Sequence, residues 1–146
     1  MKDITITKAL TEHHNEMRDL IEQIKKDKTK FISLKKHLDV HHELEEELLL
    51  SIMNTKDEVK DESLESQEEH FVLNVLLLDL ADFPRDNPRW MVKFKVLTEI
   101  IEHHLDEEEE DLFPEAEEHL SESQLKKLGK QFREMKEKRL SVIMDN

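Results

Sequence analysis

The chain has 146 residues with one Gly, three Pro, no Cys and nine His, and a formal net charge of −14. So little Gly and Pro disfavours sandwiches, barrels and Gly-looped nucleotide folds, which need many tight turns. The lack of Cys excludes disulfides, thiol nucleophiles, iron–sulfur clusters and Cys-type zinc sites, and the acidic balance argues against a nucleic-acid partner, whose phosphates need clustered cations.

The length suits one domain, so residues 1–146 are read as a single unit. Met1 to Ile6 show no apolar leader or small-residue cleavage site. No stretch approaches the roughly 18 apolar residues of a membrane span. The expectation is a cytoplasmic protein with no membrane partner, and no protein partner is singled out.

Helical periodicity dominates. Leu10, Met17, Leu20, Ile21 and Ile24 recur at spacings of three and four and predict a helix over about 7–26, capped by Thr5 or Thr7. Residues 25–30 are a polar connection. A second helix runs from Phe31 through Leu34, Leu38, Leu44, Leu48 and Leu49 to about Asn54. A third opens at Asp61 or Ser63, carries Leu64, Phe71, Leu73, Leu76, Leu77 and Leu80, and is ended by Pro84. Asn87-Pro88 starts a fourth, with Trp90, Phe94, Leu97, Ile101 and Leu105, which stops near Pro114. Ser121-x-x-Gln124 resembles a capping box for a short fifth helix over about 121–140. The pattern is all-α: an up-down-up-down four-helix bundle over about 7–118, with an additional C-terminal helix.

The two halves repeat. His14 is followed by apolar residues at +3, +6, +7 and +10, and so is His70. Superposing His41 on His104 matches Leu34, Leu38, Glu45 and Leu49 with Leu97, Ile101, Glu108 and Leu112. The repeat selects His14, His41 and His104 from adjacent pairs, although a helical wheel centres the apolar face of the first helix nearer His13. His41 with Glu45, and His104 with Glu108, share a helix face at i, i+4. Four His and two Glu turned into one interior would make a poor core, because buried carboxylates without partners are costly. They would make a good site for two borderline metal ions, with the carboxylates able to bridge. His37, His42, His103, His119 and His13 are left at the surface or behind the ligands. The acidic run 106–111 is read as a solvated face apart from Glu108, and the basic fifth helix as docked or solvated.

These residues resemble the haemerythrin-like family, also called the HHE cation-binding domain. The matching motifs are Glu12-His13-His14, His41-x-x-x-Glu45, Glu69-His70 and His104-x-x-x-Glu108-x-x-x-Leu112-Phe113-Pro114. The resemblance implies a four-helix bundle around two iron ions in a non-haem centre, with His14, His41, Glu45, His70, His104 and Glu108 as ligands; zinc or manganese are the other candidate metals. It departs from the oxygen carriers, which place His-x-x-x-His on the third helix. Here Ser66 stands four residues before His70, and Glu108 stands at +4 from His104 where carriers have Asp at +5. The pattern resembles the branch with one His on the third helix, for which O₂, nitric oxide or redox sensing, peroxide chemistry and iron handling are the implied roles. Water, Glu69 or an exogenous ligand would fill the vacated position. No acid–base pair outside the ligand set stands out, so a binding module for O₂ or another small diatomic or peroxide ligand leads. A di-iron oxidase or peroxidase, an iron store, donor or repair factor, and a structural bundle remain open.

Overall fold

A computed structural model describes residues 3–144, the side chains to residue 141. Its described residues form five long helices and no strand. Helix α1 is Ile6–Ile24. Helix α2 starts as Phe31–Glu45, widens into a π-helical turn over Glu46–Leu50 and ends with Ser51–Met53. Helix α3 is Lys60–Ala81. Helix α4 starts as Arg89–Glu107, passes through a second π-helical turn over Glu108–Leu112 and continues as Phe113–His119. Helix α5 is Glu122–Met144. No described helix is long and apolar enough to cross a membrane.

Local signals account for most boundaries. Thr5 caps α1, its side chain accepting from the Lys8 N–H. Asn87 Oδ1 accepts from the Arg89 N–H at 2.9 Å, and Ser121 Oγ from the Gln124 N–H at 3.1 Å. Two expectations need correction. Ser63 does not open α3. It lies buried inside it, with its hydroxyl donating to the Leu50 carbonyl across the interface at 3.2 Å. Pro114 does not stop α4 either. It falls at the start of the segment that follows the π-helical turn, where a missing N–H is tolerated.

The fifth helix is not short. Its 23 residues pack along α1 and α2. Leu125, Leu128 and Phe132 are buried, and Arg133, Lys136 and Arg139 pair with Glu12, Glu16, Glu43 and Glu47 at 2.9–3.3 Å. Surface pairs of this kind contribute little individually; here they fix which way a basic helix lies on an acidic one.

The apolar interior is divided in two. One cluster gathers Ile6, Leu10, Leu44, Leu49, Phe113 and Phe132. The other gathers Met17, Ile21, Leu38, Leu73, Trp90 and Phe94. Between the two groups, α1 carries His13 and His14, α2 carries His41, His42 and Glu45, α3 carries Ser66 and His70, and α4 carries His104 and Glu108, all buried. This polar layer explains why part of the third periodic run misleads. The buried face of α3 is Ser63, Ser66, His70, Leu73, Leu77 and Leu80. Leu64 and Phe71 are 41% and 61% exposed, because the face they would need is taken by polar groups approaching the layer.

The lone glycine is a packing residue. A Cβ at Gly129 would overlap the Ile4 carbonyl oxygen and lie 2.8 Å from the Thr5 carbonyl carbon. Glycine inside a helix normally costs up to about 1 kcal/mol against alanine, yet here the clash is with backbone that cannot rotate away. Gly129→Ala should therefore destabilise the chain by about 1–3 kcal/mol in urea unfolding, while Lys130→Ala on the exposed face should leave the midpoint unchanged.

Candidate metal centre

The structure brings all six sequence-selected residues together. Ligand atoms of His14, His41, Glu45 and Glu108 lie within 4.8 Å of one another, and so do those of Glu45, His70, His104 and Glu108. The two groups share both carboxylates. The Nε2 atoms turn inward: His14 and His41 are 3.1 Å apart, His70 is 2.9 Å from Glu45, and His104 is 3.4 Å from Glu108.

The opposite ring nitrogens are all engaged. The Nδ1 of His14 donates to Glu109 at 2.7 Å, that of His70 to Glu46 at 2.8 Å, and that of His104 to Glu69 at 2.6 Å. His41 Nδ1 shares a hydrogen bond of 2.9 Å with His13 Nδ1, and His13 in turn meets His37 at 2.9 Å. A histidine held at one nitrogen by a carboxylate or similar partner presents the other, with its lone pair, for coordination. At the inward side the hydrogen bonding is incomplete. Both oxygens of Glu45, Glu108 Oε1 and His104 Nε2 are buried and make no well-formed hydrogen bond; their nearest polar neighbours are inward ring nitrogens, His70 Nε2 at 2.9 Å from Glu45 Oε1 and His14 Nε2 at 3.2 Å from Glu108 Oε1. Buried polar atoms are normally satisfied, and a cation between them would satisfy all of these at once.

Electrostatics support the same reading. Burial opposes the charge on Glu108, yet His104, His14 and His70 around it hold its carboxyl well below the usual range. Burial, followed by the neighbouring Glu108, pushes Glu45 up to about 8. His104 rises to about 10, because Glu108 and Glu69 outweigh the burial that disfavours its charged form. His41 is driven well below its usual value, first by burial and then by His14. In the metal-free cluster, protons thus occupy places that positive charge requires.

His13 lies behind His41, Glu69 behind His104, and Ser66 donates to Glu108 Oε2 at 3.0 Å while standing 3.5 Å from His70 Nε2. His103 is exposed, as expected. His42, left at the surface or behind the ligands, takes the second of these places. It is buried, stacks on His70 with ring centroids 3.9 Å apart, and groups with His70 and His104. Because α2 packs against α1 and α5 on one side and α3 on another, adjacent residues about 100° apart on it can both face inward. Glu46 and Glu109 were missed. They hold matched positions: the register that pairs Glu45 with Glu108 pairs Glu46 with Glu109 one residue on, and they serve the matched His70 and His14. Extending the repeat by one residue would have found them.

The two π-helical turns begin within one residue of matched positions. The Ser51 N–H reaches back to the Glu46 carbonyl and the Phe113 N–H to the Glu108 carbonyl, five residues each. Such turns are frequent at functional sites. Here they follow directly on Glu45 and begin at Glu108.

Helices enclosing a buried imidazole and carboxylate layer define a helical-bundle protein whose His/Glu groups fit a metal site. Residues 5–116 match the sequence model of the Hemerythrin HHE cation binding domain; the chain belongs to this family. No curated protein matches the chain in sequence. Its fold is similar to the crystal structure of a hemerythrin HHE cation binding domain-containing protein from Mycobacterium kansasii, with a TM-score of 0.84 and 21% identity, over 97% of this chain and 90% of that one.

The proton distribution has a consequence for pH. His104 goes from 6.5 to about 10 on folding, so its contribution is complete below about 6.5 and lost as pH rises through about 10. Glu45 goes from 4.5 to about 8, and its contribution is likewise lost with rising pH, through about 8. The metal-free chain should lose thermal stability between about pH 6 and 9, whereas metal affinity should increase over the same interval because binding displaces these protons. Melting curves and metal titrations across that range check both directions.

Proposed function

We propose that this chain is a non-haem di-iron protein of the haemerythrin type that handles O₂ or a related small ligand by binding, sensing or redox response. In this reading His14 and His41 would hold one ion and His70 and His104 the other, with Glu45 and Glu108, common to both groups, supplying the carboxylate donors. The observation that carries it is the polarity of the four histidines. Each anchors Nδ1 outward while Nε2 converges on the buried carboxylates of Glu45 and Glu108. Imidazole and carboxylate donors without thiolate suit iron, with zinc and manganese as the competing ions.

Iron in such a centre supplies reversible electron donation to small oxygen or nitrogen ligands. The protein's part is different. Glu109, Glu46, Glu69 and His13 orient the imidazoles, the two apolar clusters exclude bulk water, and Ser66 holds Glu108 through its hydroxyl. The small Ser66 side chain, at the position where oxygen carriers have a histidine, supports placing the chain in the branch with one His on the third helix. The up-down-up-down arrangement is supported by the order of the apolar clusters along the chain. Helices α1 and α3 run from the Leu10–Val59 cluster to the Met17–Leu80 cluster, and α2 and α4 run the other way. A cytoplasmic location accords with the absence of Cys, since no residue demands an oxidising compartment.

A binding role is preferred to an oxidase or peroxidase because the polar groups of the cluster are committed to each other and to the proposed ions. A store, donor or repair factor is the second reading, favoured by the acidic cavity described below.

Metal analysis after anaerobic purification should give about two iron per chain, with a visible charge-transfer band that appears on exposure to air and bleaches on deoxygenation. Steady peroxide consumption with a reductant would instead mark an enzyme, and rapid transfer of iron to a metal-free acceptor a donor. Zinc alone, or no metal after iron-replete expression, overturns the reading. His104→Ala and Glu108→Ala should each lose metal and melting temperature together, because metal-binding energy is folding energy. His103→Ala, on the exposed side of the same helix, should do neither; loss of metal in that variant alone would move the register on α4.

A further inference from the structure

A cavity of about 340 Å³ lies between α3 and the end of α4. Eight of its eleven lining residues are Asp or Glu and none is Lys or Arg. Its rim includes the exposed Glu62, Glu65 and Asp111, and its floor is the buried Ser66 and Glu108. An acidic rim alone is an ordinary solvated surface. This one ends on the buried carboxylate of Glu108, whose Oε1 makes no well-formed hydrogen bond and stands 3.2 Å from His14 Nε2. The cavity therefore connects solvent to the group shared by both halves of the His/Glu cluster.

The rim carboxylates are close enough to influence one another. Partial burial, then Glu115, Asp111 and Glu65, push the Glu62 carboxyl up from its ordinary value. The contrast with another cavity that reaches the cluster is informative. That cavity, at His42 and His70, also has acids, but Asp39, Glu43 and Glu46 are paired with Lys35, Arg139 and His70. Their charge is spent locally. In the α3–α4 cavity Glu69, Glu107 and Glu115 pair with His104, His103 and His119, but Glu62, Glu65, Glu110 and Asp111 make no ion pair among the described residues, and a cleft lined by one sign of charge concentrates ions of the other sign.

We propose that this acidic funnel is the route by which a divalent metal ion reaches the buried cluster, and that it retards anions on the same path. The proposal rests on the metal-centre reading above. Cations are drawn to the rim, pass Ser66, whose small side chain leaves the floor open, and are taken up by Glu108. Neutral ligands such as O₂ or hydrogen peroxide meet no barrier of charge. Anions such as azide do.

The test compares the full chain with Glu62→Gln/Glu65→Gln/Asp111→Asn, three exposed sites away from the six clustered residues. A second variant, Asp19→Asn/Glu99→Gln/Glu102→Gln, removes the same formal charge elsewhere. Ferrous-ion uptake by the metal-free chain is followed anaerobically by rapid mixing, and azide binding is followed on the iron-loaded chain. At low salt the funnel variant should load iron about tenfold more slowly, bind azide faster, and reach the same final iron content. The difference should close at about 0.2 M salt, where screening shortens to under about 10 Å. The second variant should behave as wild type. Equal uptake and equal azide rates in the funnel variant at low salt overturn the funnel while leaving a wild-type content of two iron, and with it the metal centre, intact. An equal effect in both variants overturns it too, since net charge and not the funnel would then control access. A wild-type chain that takes up no iron overturns the centre as well.

Discussion

The whole bundle is organised around the difficulty of burying Glu45 and Glu108. An ionised carboxylate taken out of water without compensation costs many kcal/mol, and two of them facing one another cost more. Each helix of the cluster contributes something that lowers this cost. α1 sends His14, α2 sends His41 and His42, α3 sends His70 and Ser66, and α4 sends His104. The apolar interior is consequently split into two clusters, each smaller than a bundle of this length could otherwise form. α5 covers α1 and α2 and adds Leu125, Leu128 and Phe132 to one of them. Positive charge at the centre, from protons in the metal-free chain or from the metal ions proposed here, connects the two halves of the interior.

The outer partners follow the same internal repeat with one break. Glu109 on His14 and Glu46 on His70 are matched. His13 on His41 and Glu69 on His104 occupy matched positions but differ in chemistry: an imidazole behind one ring, a carboxylate behind the other. The rings differ as well: His41 is driven to the neutral form by burial and by His14, and His104 toward the charged one by Glu108 and Glu69 against its burial. The two halves of the cluster are therefore geometrically alike and electrostatically unequal.

Much of this was legible in the residues. Periodicity located the helices to within a few residues, because apolar spacing reports which face of a helix leaves water. The repeat chose His14, His41, His70 and His104 with Glu45 and Glu108, and these six side chains do converge. Other features were not legible. Leu64 and Phe71 fit the apolar pattern of α3 and are exposed, since the polar layer takes their face. For His42 the sequence left open the surface or a place behind the ligands, and the residue is buried, since α2 is covered on more than one side. Pro114 looked like a stop and is passed, since the turn before it is π-helical. The length of α5 was underestimated, because its apolar residues are sparse and its alignment rests on ion pairs with residues over 90 positions away.

The sequence by itself determined the helical class, the register of the repeat and a donor set of imidazole and carboxylate without thiolate. Those depend on side-chain chemistry and on spacings of three and four, which are properties of a single helix. Only the tertiary structure decided which ring nitrogen faces inward, which acids stand behind the histidines, where the helices widen into π turns, and that an acidic cavity reaches Glu108. Each of those depends on how one helix lies against another, and nothing local to a helix encodes it.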